Sequence, residues 1–444
     1  MLPTLSTSPR LRITTLCVLY MAQGIPWGFV AITLPPYLGE RGLSAAAIGN
    51  ILFWSTLPWS FKWIAGPLID RFGFPAMGRR RPWILLAQTM MALTIGAMIL
   101  IPDLTDGIQA LSAMIFLHNC FNALQDVSVD ALAVDLLEEE ERGKANGLMY
   151  GSKYVGGWMG GAGLATVLAA SGMRAALMLQ TVILLCIMAF PLLLRERHGE
   201  RLLPWSPGKS SALPGAMTPS VRGLFRNLGR AFSLRSTLGG VALALTTSLG
   251  TGVLSVIGAV FFTQRLGWTG AEKAQLDGWA VWLGLFGSIG GGWLADRFGA
   301  KRVIAFGALG LAGVWAAFAG LEPYWASEPR IPIALLLLEP LLQSLMTVGL
   351  FALFMTISWP QVAATQFTAY MALLNLSTTI GHWMAGPIDS ALDYRGMYFA
   401  GAVIQASMLL FLPLIDPSET RRVLGDGTDH AIDEPATVGE VPAA

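Results

Sequence analysis

The chain has 444 residues, 54% of them hydrophobic and only 13% charged, with a mean hydropathy of +0.57 and a formal net charge of +1. Soluble domains carry about 25% charged residues, so this composition leaves too few polar side chains to cover a core in water and fits a surface that faces lipid. The near-neutral balance offers no basic field for a nucleic-acid partner.

A membrane-spanning helix needs roughly 20 mostly apolar residues. Twelve such stretches follow one another, at about 12–38, 45–69, 82–101, 108–137, 143–170, 174–194, 236–263, 271–294, 303–321, 331–357, 363–390 and 396–415. The first is longer than the apolar core of a signal peptide, contains Gln23-Gly24-Ile25-Pro26, and is followed by many similar runs, so it reads as a retained span. Its Gly and Pro predict a kink or break there, where backbone and Gln23 meet a ligand. Cys17, Cys120 and Cys186 are odd in number and far apart in apolar stretches, which argues for buried packing residues rather than a disulfide framework.

Charged side chains inside spans cost a few kcal/mol each, by order of magnitude, and usually face a cavity or a partner. The first half has Lys62 in span 2, Asp126 and Asp130 in span 4, and Lys153 in span 5. With about 1.5 Å of rise per residue, all four fall roughly 12–18 Å from the same membrane boundary. Asp126 and Asp130 are four apart and share a helix face. Asp135 lies beside the acidic run 138–141 and reads as a boundary charge. Two readings stay open for the four-charge cluster: a substrate or proton site, in which neighbouring charges and burial tune the carboxyls, or a network that fixes helix packing. His118, two turns before Asp126, reads as a packing histidine. In the second half, Glu339 precedes Pro340 in span 10, where proline frees backbone groups. Asp277 and Asp389 fall near the outer ends of spans 8 and 11 and carry less weight.

The loop GPLIDRFG (66–73), followed by GRRR (78–81), is repeated 226 residues later as GWLADRFG (292–299), followed by Lys301-Arg302. Each copy follows the second span of its half. Two similar six-helix halves are the simplest account, with domains at 1–194 and 236–416, a polar linker at 195–235, and a disordered tail at 417–444. Glycines allow the tight turns, and an Asp beside Arg and Lys at the water boundary pairs with helix ends or opposing charges. A gating role therefore falls to Gly66, Asp70, Arg71, Gly73, Arg79, Arg80, Gly292, Asp296, Arg297, Gly299, Lys301 and Arg302, against the plainer reading of a positive anchor. Of the 29 Lys and Arg, 21 lie in the termini, the linker and the loops on their side, and 6 on the other side, where Lys273 is counted as a loop residue. By the positive-inside rule both termini are cytoplasmic.

The repeated loop resembles the signature of the major facilitator superfamily, although the first copy has extra residues before its GRRR. The resemblance covers nearly the whole chain in topology. It implies an all-α polytopic fold of 12 helices in two pseudo-symmetric six-helix bundles around a cavity that opens alternately to either side. Four strings are more specific: YMAQGIPWG (20–28), LPWSFKWIAGPLIDR (57–71), GRRRPWILLAQ (78–88) and LQDVSVDALAVD (124–135). They resemble the AmpG-type muropeptide permeases and the related acetyl-CoA transporters, and Lys153 falls where the permeases tend to carry a basic residue. This resemblance implies a proton-linked importer in a bacterial inner membrane, monomeric and without a cofactor or metal. It supports roles in substrate or proton binding for Asp126, Asp130, Lys62, Lys153, Gln23 and Gln125, and Glu339, an in-span carboxyl before Pro340, is a candidate for the same role on its own account. An anhydromuropeptide leads as substrate, with acetyl-CoA or a siderophore as alternatives. No span carries a zinc HExxH, a Ser-His pair or a GxGD aspartate pair, which disfavours an intramembrane enzyme.

Overall fold

The computed structural model describes residues 4–72, 75–101, 107–208, 221–328 and 330–425. The described residues contain no strand, and twelve helical spans follow one another with boundaries within a few residues of those expected. Six helices qualify as membrane-crossing by length and hydropathy alone. Spans 2 and 4 fall short for a local reason: span 2 is broken at Phe61, and span 4 (Ile108–Leu136) carries Asn119, Asn122, Gln125, Asp126, Asp130 and Asp135. The polar residues of span 4 include Asp126 and Asp130 of the candidate site.

Span 1 begins at Pro9 with Ser8 as its cap and runs to Glu40. Pro26 does not break it. The helix widens instead into a π turn, Phe29–Thr33, before Leu34–Glu40 resumes. Span 5 starts as Glu139–Trp158 and has its own π turn at Met159–Gly163. The two turns lie against each other, and the Thr33 hydroxyl donates to the carbonyls of Gly160 (2.8 Å) and Gly161 (2.9 Å). A π turn leaves carbonyls unpaired within the helix, and in a membrane another helix must satisfy them. Contact is close enough that a Cβ on Gly160 would lie 1.9 Å from the Ile25 carbonyl oxygen, and one on Gly28 would lie 2.2 Å from that of Gly157. The expected break in span 1 is thus a seam with span 5.

Span 5 continues into Leu164–Leu193, and Gly172 (φ 83°, ψ 173°) turns the chain back as span 6. Only glycine adopts that conformation readily. Span 3 is Arg81–Met98, span 7 Arg235–Arg265, span 8 Gly270–Phe298, span 9 Ala300–Gly320, span 10 Arg330–Ile357, span 11 Ala363–Ala391, and span 12 Tyr394–Ser407 extended through Met408–Leu414. Cys186 is exposed rather than buried, an apolar side chain on an outward face of span 6.

The largest buried cluster contains residues of the first half from Leu5 to Ile187, together with the ends of spans 7, 9, 11 and 12 farthest from the termini, such as Phe261, Phe318, Ala385 and Tyr398. The near ends of the second half form a separate cluster around Phe354, Tyr370 and Met408. Apolar packing therefore joins the halves at the face opposite the termini.

Part of the expected disordered tail is ordered. Glu419–Leu424 is helical, Thr420 donates to the Ile357 carbonyl at 2.8 Å, and Glu419 accepts from the Ser236 amide at 2.7 Å. Residues 426–444 lie outside the described residues. The linker also holds structure, including a helix at Val221–Phe232.

Candidate functional site

Span 2 carries Pro58 in its last turn. Its first helix, Ala45–Ser60, ends there, Phe61 leaves helical geometry (φ −115°, ψ 8°), and a single tight turn, Lys62–Ile64, leads into Ala65–Arg71. Lys62, expected within span 2, therefore sits at a break in that span. The Trp59 carbonyl near the break accepts from Asn375 of span 11 at 3.3 Å.

From that break the Lys62 ammonium donates to Asp126 Oδ2 at 2.9 Å, while Lys153 Nζ lies 3.8 Å from Asp126 Oδ1. Asp126 is 5% exposed, Lys62 18% and Lys153 30%. Asp130, one turn on, accepts from the Tyr20 hydroxyl of span 1. The Trp59 ring lies 5.8 Å from Lys62 Nζ and 5.4 Å from Lys153 Nζ, within cation–π range of both. The structure thus brings Lys62, Asp126, Asp130 and Lys153 together with two cations facing two carboxylates. Such a site can hold a ligand bearing both charge signs, or exchange a proton among its carboxyls, with Trp59 as an apolar platform. Tyr20 and Trp59 were not singled out by sequence, although both lie in quoted strings.

Gln23 and Gln125 lie inside the bundle, both buried. Gln125 Nε2 donates to the Leu19 carbonyl at 3.1 Å, and neither polar atom of Gln23 has a hydrogen-bond partner among the described residues. His118 is fully enclosed and bonds Thr94 (3.0 Å) and the Met91 carbonyl (3.2 Å), as a packing residue does.

Glu339 stands apart from this cluster, in span 10, where it accepts from the Trp315 indole at 2.9 Å. Lys273 and Asp277 of span 8 are its charged neighbours. Lys273 is not a loop residue: it is buried one turn into span 8, 2.5 Å from Asp277 Oδ2, with its ammonium 5.0 Å from the centre of the Phe262 ring. The i,i+4 spacing of Lys273 and Asp277 was the available signal.

Hydrogen bonds close the molecule on the side away from the termini. Glu40 accepts from the Gly270 amide (2.8 Å), Gln264 Nε2 donates to the carbonyls of Gly39 and Leu43 (both 2.9 Å), and Gln275 donates to that of Ala162 (2.7 Å). Toward the termini, the bridges Thr56–Thr379 (2.9 Å), Asn375–Trp59 and Tyr154–Ser288 (3.0 Å) lie at mid-depth.

Among the described residues, no hydrogen bond or ion pair joins the two repeated loops. In the second, Asp296 and Arg297 are exposed, Arg302 is exposed, Gly299 (φ 86°) caps spans 8 and 9, and Lys301 donates to the Ile415 carbonyl. Arg297 lies over the rings of Trp293 and Phe298. In the first, Arg71 is exposed, and Arg80 Nε bonds Asp135 at 2.8 Å. The buried Glu196 of the linker accepts from the amides of Arg79 (3.0 Å), Arg80 (2.8 Å) and Arg81. Burial pushes its carboxyl above the ordinary range, against the pull of those three amides. Nothing crowds a Cβ at Gly66, and at Gly292 the nearest atom is 3.8 Å away. Gly73 and the side chain of Asp70 lie outside the described residues.

A family model described as Major Facilitator Superfamily matches residues 16–245. An anhydromuropeptide permease of Escherichia coli K12 is 26% identical over 390 residues, covering 85% of this chain and 73% of the permease. An uncharacterized protein of Haemophilus influenzae is 32% identical over 149 residues, which is 33% of this chain and 34% of that protein. Among solved structures, a D-xylose–proton symporter shares the fold with a TM-score of 0.70 at 14% identity, covering 93% of this chain and 99% of that one.

Proposed function

The chain belongs to the major facilitator superfamily and is a multi-pass membrane transporter, and on that premise we propose that it is a proton-coupled importer of anhydromuropeptides. The observation that carries the substrate is the likeness to the Escherichia coli permease over 85% of this chain. An anhydromuropeptide has sugar hydroxyls, an amine and carboxylates, and the Lys62–Asp126–Lys153–Asp130 cluster with Trp59 offers complementary groups for each. Lys153, the most open of the four, receives the substrate carboxylate. Asp130, bonded to a neutral hydroxyl rather than to a lysine, carries the proton. Glu339 is a second proton-accepting carboxyl in the other half.

In this reading residues 1–194 and 236–416 are the two moving bundles and 195–235 the connector. The protein is a monomer of the bacterial inner membrane with both termini in the cytoplasm, as the 21 basic residues on that side favour. The state described here is then inward-open. Outward opening parts the Glu40–Gly270 and Gln264–Gly39 bonds and brings the two glycine–aspartate–arginine loops together, where the uncrowded Gly66 and Gly292 allow close approach.

Uptake of radiolabelled anhydromuropeptide into proteoliposomes, with and without a pH gradient, tests both parts. Gradient-driven accumulation is expected. Accumulation that survives collapse of the gradient rejects proton coupling. Absence of uptake, with binding of acetyl-CoA or a siderophore instead, rejects the substrate.

A further inference from the structure

The linker helix Val221–Phe232 ends two residues before span 7 begins at Arg235, so its C-terminal end lies at the membrane boundary on the side of the termini. One face is anchored to the protein. Leu228 and Ala231 pack on Trp359, Val362 and Leu424, the Phe232 ring stands 6.3 Å from that of Tyr370, and Asn227 bonds Gln361 at 3.2 Å. Those contacts fix the helix on the loop between spans 10 and 11.

They also leave a second surface unused. Phe225 is 66% exposed, and Arg226, Arg230 and Arg235 are exposed without an ion pair among the described residues. Arg226 and Arg230 are four apart and share a face. The sequence of the helix contains no Asp or Glu to neutralise them. A large apolar ring beside arginines, on a helix whose end meets the boundary where a span enters the bilayer, matches the two layers of a leaflet: acyl chains for the ring and phosphates for the guanidinium groups.

We propose that this helix docks on acidic phospholipids, with Phe225 entering the acyl boundary and Arg226, Arg230 and Arg235 binding headgroup phosphates. The docked helix ties the leaflet to the loop between spans 10 and 11, and through it to the near end of the second half. The proposal needs only that the chain lies in a membrane, so it stands whatever the substrate is.

The test uses the full chain in nanodiscs of phosphatidylcholine with increasing phosphatidylglycerol, and counts retained lipids by native mass spectrometry. The wild type is expected to retain phosphatidylglycerol in preference to phosphatidylcholine. Each arginine near an acidic surface contributes about 1 kcal/mol, so R226Q/R230Q is expected to bind it roughly 25-fold more weakly. F225S is expected to weaken it severalfold with the arginines intact, at an unchanged melting temperature in detergent. Equal phosphatidylglycerol binding by wild type and R226Q/R230Q would overturn the proposal, as would a wild type that does not discriminate the two lipids.

Discussion

Replacing Asp126 with asparagine separates the two roles open to the charge cluster. Asp126 is 5% exposed and faces Lys62 at 2.9 Å and Lys153 at 3.8 Å. Removing one partner of a fully buried pair costs about 3–5 kcal/mol, because the other charge is left uncompensated. Here the lysines are 18% and 30% exposed, and Asp130 remains one turn away. The expected loss is therefore smaller, about 1.5–3 kcal/mol. The partner variant K62Q leaves Asp126 with the more distant Lys153, and a similar loss is expected. The double variant D126N/K62Q removes both charges, and a coupling of about 1–2 kcal/mol should make its loss smaller than the sum of the two single losses by that amount. Thermal unfolding in detergent and substrate uptake are measured on all four proteins. If the cluster binds substrate or protons, the double variant is less destabilised than the two single losses combined and stays inactive. Uptake restored along with stability would reduce the cluster to a packing device. Normal uptake by D126N alone would refute the site.

Three further outcomes follow from neighbouring contacts. Y20F removes the hydroxyl donated to Asp130; uptake at neutral pH is expected to fall severalfold for a stability cost of about 1 kcal/mol, and unchanged uptake and pH profile would remove Tyr20 from the site. G160A places a methyl 1.9 Å from the Ile25 carbonyl oxygen, so spans 1 and 5 must part at a cost of about 1–3 kcal/mol, read as a lower melting temperature. For Glu196, whose folded carboxyl is held above its ordinary range by burial, the stabilising contribution is full below the ordinary carboxyl range and is lost as pH rises through the folded value. E196Q should flatten that part of the pH–stability curve, whereas E196A, which strands three amide donors, should lower stability by about 1–3 kcal/mol at every pH.

The spans were legible because lipid demands long apolar runs, and the depth of Lys62, Asp126 and Lys153 followed from helix rise alone. That made their meeting foreseeable. Their setting was not. Pro58 hints at the break at Phe61, but no local pattern announces the π turns at Phe29 and Met159, which lie against each other. Tyr20 reaches Asp130 across 110 residues of sequence, and Glu196 reaches the amide of Arg81 across 115. Such pairs depend on tertiary placement. Lys273 was misread because three residues separate it from the start of span 8, inside the error of any boundary drawn from hydropathy. Its burial against Phe262 and Asp277 shows that basic residues near span ends are not always anchors. The linker looked merely polar because the helix at 221–232 is short and rich in arginine, and its packed face becomes visible only against Trp359 and Val362.

The most direct measurement is accumulation of labelled anhydromuropeptide in proteoliposomes of the purified protein under an imposed pH gradient, acid on the side opposite the termini. Accumulation above the external concentration, abolished by a protonophore and absent in folded D126N/K62Q protein, is the expected result. Absence of uptake by wild-type protein that binds acetyl-CoA or a siderophore, or equal accumulation with the gradient collapsed, would contradict it.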